Sequence, residues 1–412
     1  MNSKSKYAVL LLSSVIVVYA IVGGMFDRVS AQDGAYRQLD LFWEVWAKIR
    51  SDYVDEPSMN NALMGAVRGL VEQVDPNGGY LTPKDVAFYK EFNVLKTPGI
   101  GVVLGKPPQW GYPVIVSAIP GGPAEQAGLT TGDFIEAIDG ITTREMNLVQ
   151  VYGYLANPPD KPASLTVIRP GNEPKVVPVA RQVTKAPPVE SRMIDGNIAY
   201  VRVRLLSPGK AAEARKSLDE LLKKGAASVI LDLRASAGGE EKEAVELANL
   251  FIESGTVGYI QGQQVEKRVL TADPKAFLTK APLVVLVNQG TSGPAEIVAG
   301  AIGDSNRGQL VGARTFGNGG VQRLIPMEGG NALLLAVARY YTPAGKEIQS
   351  DGIRPTVEVA PDEFSDPSAL LDDPATSPVV PKPRTTPQTI EERQLNKAIE
   401  LLRASKVTQR AA

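Results

Sequence analysis

The residues whose side chains could do chemistry are concentrated between Pro282 and Gln322. Within this stretch Ser292 lies in a turn, Glu296 opens a helical segment, and Asn318 lies in a glycine-rich loop. A serine hydroxyl becomes an effective nucleophile only when a neighbouring base removes its proton. An asparagine amide has no useful basicity near neutral pH, so it can position a hydroxyl but cannot deprotonate it. The stretch therefore has the layout of an active site without a histidine or a lysine in it.

The absence of two residue types narrows the chemistry further. The 412 residues contain no histidine, which excludes Ser-His-Asp and Cys-His catalysis, HExxH zinc sites and histidine proton shuttles. They contain no cysteine, which excludes disulfides, thiolate catalysis and cysteine metal sites. A calcium site built from carboxylates would need a pattern such as a DxDxDG loop, and the sequence has none. We therefore expect no metal and no cofactor.

Composition limits the class of protein and its partners. The net charge is −1, and no run of lysine and arginine stands out, so nucleic-acid binding has no electrostatic support. The hydrophobic fraction of 43% is typical of a globular chain. At about 150 residues a domain, the length predicts roughly two to four domains.

Several short elements must position the candidate residues. The β-branched run Val284–Val287 predicts a buried strand, and Gly290–Pro294 predicts the turn after it. We expect a helix at Glu296–Ile302, a second strand at Gln309–Val311 and a glycine-rich loop at Phe316–Gly320. Many α/β proteins build their active site in this way, at the carboxyl end of a strand and beside the start of a helix.

The N-terminal 30 residues predict a membrane anchor or a signal peptide. Lys4 and Lys6 precede a stretch without charge from Ala8 to Phe26, which is about as long as a membrane-spanning helix. Small residues at 29–31 would suit a signal peptidase, but the apolar run exceeds an ordinary signal-peptide core. We expect an uncleaved inner-membrane anchor, with secretion as the alternative. The charges place the bulk of the chain in the bacterial periplasm or outside the cell.

Residues 35–95 form the next region, which the spacing of its apolar residues predicts to be helical. We expect a helix pair that packs on the domain at 187–361, and a further helix that begins at Thr82 after a turn-rich stretch. The side chains that define the pair are Leu39, Phe42, Trp43, Trp46 and Ile49, followed by Leu63, Val67, Leu70, Val71 and Val74.

Residues 96–183 change to short strands and turns. A glycine loop at Gly99–Val102 runs into a strand, and an Asp139-Gly140 pair predicts a tight hairpin turn. With the pattern PAEQAGLTTGD between them, the segment resembles a PDZ domain. That resemblance implies that Gly99, Ile100, Gly101 and Val102 bind a C-terminal carboxylate through backbone N–H groups, while the peptide adds a strand to the sheet edge.

From residue 187 to 361 strands alternate with helices, which predicts a parallel or mixed sheet with covering helices. The composition of residues 362–389 predicts a disordered linker, and residues 390–406 predict a terminal amphipathic helix. The expected fold class is a mixed α/β and β multidomain chain, with a helical N-terminal segment, a PDZ domain and an α/β domain with a mixed sheet, which the resemblance described next implies to be peptidase-like.

Six motifs in order resemble the C-terminal processing peptidases, or tail-specific proteases, the S41 family of serine peptidases with a Ser-Lys dyad. They are VDPNGGYL, the PDZ segment, VILDLRASAGG, PLVVLVNQGTSGPAEIVAGAIGD, VGARTFGNGGVQ and ARYYTPAGKEIQSDGI. The resemblance covers nearly everything after the anchor segment. It implies that the PDZ domain captures substrate tails and that the sheet domain cuts them.

The dyad positions depart from the family pattern. By resemblance the nucleophilic serine belongs three residues before Glu296, where this chain has Gly293. The family lysine belongs in the T-F-G-K-G pattern, where this chain has Asn318, and the glutamine that follows is retained as Gln322. We therefore expect that neither the nucleophile nor its base is present.

Two other features bear on residual activity. Gly238 and Gly239 occupy, by resemblance, the place of the oxyanion-hole amide. Ser292 is the nearest substitute nucleophile, although it lies one residue off and Pro294 restricts the backbone beside it. Ser236 is a second such candidate.

These observations predict an exported pseudoprotease that binds protein or peptide C-termini through its PDZ domain and regulates an active peptidase relative. The alternative is an active endopeptidase that uses Ser292 to cut the tails of envelope proteins. A homo-oligomer held together by the terminal helices is compatible with the first hypothesis.

Overall fold

The computed structural model describes residues 39–107, 110–195, 197–359 and 389–411. The expected anchor segment and nearly all of the expected linker lie outside these residues. Within the described ranges, no helix is both long enough and apolar enough to cross a membrane. The chain divides into two compact units, residues 1–69 and 70–412, which are described separately.

The first unit holds helix α1, over residues 39–52, and the start of helix α2, Met59–Val74. Both helices follow the predicted spacing. Several of the apolar side chains that define the pair are exposed, since Trp43 is 59% exposed and Leu63 is 43% exposed. Helical spacing shows which side chains share a face, but it does not show what covers that face.

The region up to residue 95 is not helical throughout, because a short strand β1 (Gly79–Leu81) precedes helix α3 (Pro83–Glu91). Thr82 caps α3 as predicted, and it shares a capping box with Asp85. A strand of three residues is too short to show the alternation from which strands are recognised.

The segment 96–183 contains the antiparallel sheet that the PDZ resemblance implied. Its elements are β2 (Val102–Gly105), β3 (Val114–Ala118), α4 (Pro123–Gln126), β4 (Phe134–Ile138), β5 (Ile141–Thr142), α5 (Leu148–Ala156), β6 (Ala163–Ile168) and β7 (Lys175–Val179). The strand order is β2-β3-β4-β6-β7, with β5 on β4. Asp139 and Gly140 turn the β4–β5 hairpin with φ of 52° and 82°, as an Asp-Gly turn requires.

The remaining strands and helices belong to the α/β domain. They are β8 (Glu190–Ile194), β9 (Ile198–Arg202), α6 (Lys210–Lys223), β10 (Ser228–Asp232), α7 (Glu241–Asn249), β11 (Thr256–Gly262), β12 (Val265–Thr271), β13 (Leu283–Val287), α8 (Pro294–Asp304), β14 (Gln309–Gly312), β15 (Gly320–Pro326), β16 (Ala332–Tyr341) and β17 (Val357–Glu358).

One sheet of this domain carries the site. Its order is β17-β14-β13-β10-β9-β8, with every neighbouring pair parallel except β8–β9. The expectation of a parallel or mixed sheet is therefore confirmed. All of β13 is buried, as expected for a central strand covered on both faces. Its carboxyl end leads directly into the turn before α8.

A second sheet was not expected from the sequence. It has the order β1-β16-β11-β12, with β15 paired to β16, and all of its pairings are antiparallel. Strand β15 leaves the glycine-rich loop at Gly320, so this sheet fixes the far end of that loop.

The terminal helix α9 (Ile390–Ala411) covers one face of the site-bearing sheet. Ala398 and Leu402 pack against the apolar side chains that this face presents. The Arg234 guanidinium donates to the Glu391 carbonyl at 2.7 Å, which anchors the first turn of α9. The helix continues beyond the predicted end at residue 406. The prediction stopped there because the residues after 406 lack the apolar spacing from which the length of the helix was judged.

Candidate functional site

The centre of the site is the buried carboxylate of Glu296, in the first turn of α8. Its Oε2 accepts the N–H groups of Gly293 at 2.9 Å and Asn318 at 2.8 Å. Its Oε1 accepts the N–H of Gly317 at 2.7 Å and the hydroxyl of Thr315. One carboxylate thus ties the turn before α8 to the glycine-rich loop.

The surroundings of Glu296 act on its acidity in opposite directions. Burial raises the pKa of the Glu296 carboxyl to about 6, while the hydrogen bonds from Thr315, Asn318, Gly293 and Gly317 lower it. The effect of burial is the larger one. At neutral pH the carboxyl is therefore mostly ionised, which matches its four donor partners.

Gly293, the position implied for the nucleophile, precedes α8 with φ 64° and ψ −121°. L side chains rarely adopt this backbone conformation, so a side chain here would be strained. Space is available, because a Cβ built at Gly293 would have no atom nearer than the carbonyl oxygen of Asn318, at 4.0 Å. The positions implied for the nucleophile and the base are therefore adjacent. Glycine at 293 has no side-chain atom that could attack a substrate carbonyl.

Asn318, the position implied for the base, is half-buried on the loop before β15. Its backbone N–H is held by Glu296, and its side-chain amide makes no hydrogen bond to another described residue. The amide faces a cavity of about 280 Å³ that Gln322 also lines. Gln322 is exposed, and its Nε2 donates to the carbonyl of Asn77 at 2.8 Å.

Ser292 and Ser236, the substitute nucleophiles, lie on adjoining loops. The Ser292 N–H donates to the Ser236 carbonyl at 2.9 Å. Both side chains are buried, and neither hydroxyl has a hydrogen-bond partner among the described residues. Each hydroxyl therefore lacks both a base within reach and access to a substrate.

Gly238 and Gly239 keep the backbone that the oxyanion role would need. Their φ values are 79° and 111°. A Cβ at Gly239 would lie 2.2 Å from the Leu206 carbonyl oxygen, so only glycine fits there. Within the described chain the N–H groups of both glycines have no acceptor. They remain able to donate to an oxyanion.

The glycine loop of the PDZ-like segment also has free donors. The N–H groups of Ile100 and Gly101 have no acceptor among the described residues. Gly101 has φ 73°, and a Cβ there would lie 2.7 Å from the Thr184 hydroxyl oxygen. The loop continues into β2, which has a strand neighbour on one side only. This arrangement can accept a terminal carboxylate at the loop and the end of a peptide beside the start of β2.

Sequence reasoning missed the residues that frame the site. Thr315 and Asn77 hold the loop and Gln322, but neither belongs to a spacing pattern that predicts its contact. Tyr152 and Phe92 line the cavity at Asn318 and also the space at the PDZ-like loop. Only one feature of the sequence points to a role for Tyr152 at the site, namely its place in the predicted helix after the Asp-Gly hairpin.

Comparisons with known proteins agree with this architecture. A sequence-family model described as peptidase family S41 matches residues 197–359, and one described as a PDZ domain matches residues 114–169. The carboxyl-terminal-processing protease of Picosynechococcus sp. is 31% identical over 379 residues, which are 85% of this chain and 89% of that protein. The chloroplastic C-terminal processing peptidase of Tetradesmus obliquus is 30% identical over 351 residues, 81% of this chain and 76% of that protein.

A solved structure gives the same result. The photosystem II D1 C-terminal processing protease superposes with a TM-score of 0.66 at 28% identity, covering 78% of this chain and 93% of that one. The resemblance to the C-terminal processing peptidases and the expected fold class are thereby confirmed.

Replacement of the central carboxylate should destabilise the protein. In Glu296→Gln an amide nitrogen replaces one carboxylate oxygen. That nitrogen cannot accept the hydrogen bonds that the oxygen accepted, so buried donors lose their acceptor. We expect the free energy of unfolding to fall by about 3 kcal/mol in urea denaturation. The matched control is Glu246→Gln, whose carboxylate is half-exposed and pairs with Lys242 at 3.7 Å. Equal losses in the two variants would contradict the role assigned to Glu296.

The raised pKa of Glu296 also predicts a pH dependence of stability. The folded protein holds this proton up to about pH 6, whereas the unfolded chain releases it near the ordinary value of 4.5. Stability therefore falls as pH rises from about 4.5 to 6, by about 2 kcal/mol from this group. Urea unfolding across this interval should show the decline in the wild type relative to Glu296→Gln. Parallel pH profiles for the two proteins would refute it.

Proposed function

The chain belongs to peptidase family S41, with the carboxyl-terminal processing proteases, and we propose that it binds the C-termini of proteins or peptides without cutting them. The observation that carries the proposal is the pair Gly293 and Asn318, held side by side by Glu296. The frame of a serine peptidase site is kept, while the two groups that would do its chemistry are missing.

The missing groups act as a unit. In a Ser-Lys dyad a desolvated neutral amine takes the proton of the serine hydroxyl as that oxygen attacks. Glycine at 293 supplies no oxygen, and asparagine at 318 supplies no base. Free N–H groups at Gly238 and Gly239 could still stabilise an oxyanion, but no attack would generate one.

Hydrolysis by Ser292 is the alternative, and the surroundings of Ser292 weigh against it. Its hydroxyl is buried without a partner, so no described base can activate it. The same holds for Ser236. A nucleophile must reach both a base and the substrate carbonyl, and neither serine does so in this arrangement.

Peptide binding needs no catalytic side chain. The free N–H groups of Ile100 and Gly101 support capture of a terminal carboxylate, and the start of β2, which has a strand neighbour on one side only, supports pairing with the last residue of the peptide. Both interactions use backbone groups, so the substitutions at 293 and 318 leave them intact.

The proposed location is the bacterial envelope. The uncharged stretch from Ala8 to Phe26 and the lysines before it support an inner-membrane anchor, with the bulk of the chain in the periplasm or outside the cell. Exposed apolar side chains on α1, such as Trp43, support contact with another protein there. We propose an active peptidase relative or a second copy of this chain as that partner.

Binding without cleavage can be measured with a fluorogenic peptide that has an apolar C-terminus. We expect the purified protein to bind it without turnover. Gly101→Val should weaken binding at least about tenfold, because the new side chain meets Thr184 and closes the loop. Gly121→Val is the matched control, since Gly121 has φ 74° but no atom within 4 Å of its Cβ position. Turnover that disappears in Ser292→Ala would overturn the proposal in favour of the alternative.

Restoring the dyad should restore chemistry. We expect the double variant Gly293→Ser/Asn318→Lys to cleave the fluorogenic peptide, because position 293 has room for a side chain and the neighbouring cavity has room for a lysine. The single variants should stay inactive, since each lacks one partner. Activity in Gly293→Ser alone, equal to that of the double variant, would contradict the requirement for the base.

A further inference from the structure

Tyr152 occupies the edge of β2 that a bound peptide would use. The N–H of Leu104, in the middle of β2, donates to the Tyr152 hydroxyl at 2.8 Å. Tyr152 lies on α5, on the side of β2 away from β3. A side chain of the domain itself therefore takes the place of a peptide carbonyl.

Tyr152 is held firmly in this position. Its ring packs on Phe92, with 4.6 Å between ring centroids, and Phe92 packs on Phe88 at 5.3 Å. Burial raises the pKa of Tyr152 to about 12, so the hydroxyl stays neutral at any physiological pH. Near neutral pH the charge state of Tyr152 therefore does not change, and pH does not switch the contact.

The space left beside the carboxylate loop is small. Phe92, Tyr152 and Leu155 close a space of about 20 Å³ next to Gly99–Val102. That volume accommodates about one water molecule. A terminal carboxylate can reach the free N–H groups at the loop entrance, but an extended peptide finds the next N–H on this edge, that of Leu104, already bonded to Tyr152.

Strand pairing shows which peptide group is blocked. Residues two apart on a strand present their backbone groups to the same edge. A peptide whose carboxylate binds at Ile100–Val102 would bring the carbonyl two residues before its terminus to Leu104. That carbonyl must compete with the Tyr152 hydroxyl for one N–H.

We propose that Tyr152 sets the length of chain that this PDZ domain recognises, so that the wild-type groove binds the terminal carboxylate and the last residue only. This inference rests on the proposed peptide binding and deepens it. Residues further from the terminus contribute no affinity while Tyr152 holds Leu104. The proposed ligands are consequently accessible protein C-termini with a suitable last residue. The residues before the last one have little effect on which C-terminus is bound.

The test compares dye-labelled peptides of two, four and six residues, all ending in valine, on the full-length protein. We expect wild-type affinities within twofold of one another across the three lengths. In Tyr152→Phe the ring packing is kept but the acceptor is gone, so peptides of four and six residues should bind about five- to tenfold more tightly. The two-residue peptide should be unaffected. Tyr154→Phe, on the exposed side of the same helix, is the matched control and should behave as wild type.

Hydrogen exchange at the Leu104 amide tests the contact without any ligand. We expect protection in the wild type and in Tyr154→Phe, and faster exchange in Tyr152→Phe. The inference is overturned if the wild-type affinity already rises with peptide length, or if the affinity of Tyr152→Phe does not depend on length. In both cases the proposed peptide binding itself is retained. If no peptide binds to the wild type or to either variant, the proposed function fails as well.

Discussion

A single buried carboxylate holds the two halves of this site together. Glu296 belongs to the first turn of α8, yet all four of its donors lie outside that helix. Gly293 is in the turn before α8, and Thr315, Gly317 and Asn318 lie between β14 and β15. An ionised group is tolerated inside a protein only when it is fully hydrogen-bonded, so the donors cannot move away without a large cost in stability. The geometry of the site therefore depends on Glu296 and on backbone groups, and a nucleophile or a base contributes nothing to it.

This dependence separates catalysis from recognition. Catalysis by a Ser-Lys dyad requires two particular side chains, and by resemblance Gly293 and Asn318 occupy their positions here. The proposed recognition uses free backbone N–H groups at the glycine loop and the start of β2, which glycine at 293 and asparagine at 318 leave in place. Elsewhere the frame leaves no room for a side chain, as at Gly239 against the Leu206 carbonyl. Under the proposed function, the chain lacks the reaction of its family and keeps the ligand.

Much of the frame could be predicted from the sequence, because strong local patterns governed it. The run at β13, the Asp139-Gly140 turn and the helix after Gly293 follow from periodicity and turn chemistry, and their observed bounds differ by one or two residues. The second sheet could not be predicted, since its order joins β1 to β16 across most of the chain. The bond from Leu104 to Tyr152 was equally hidden, because contacts between elements leave no local pattern.

The backbone at Gly293 has a consequence for substitution at this position. A serine held at φ 64° is a strained residue, and strain of this kind costs of the order of 1–3 kcal/mol. Glycine adopts the same conformation without that cost, so a change from serine to glycine at 293 would stabilise the fold. The reverse change would require the fold to accept the strain before a base at 318 could make the serine useful. Stability therefore favours exchange between the two residues in one direction and opposes it in the other.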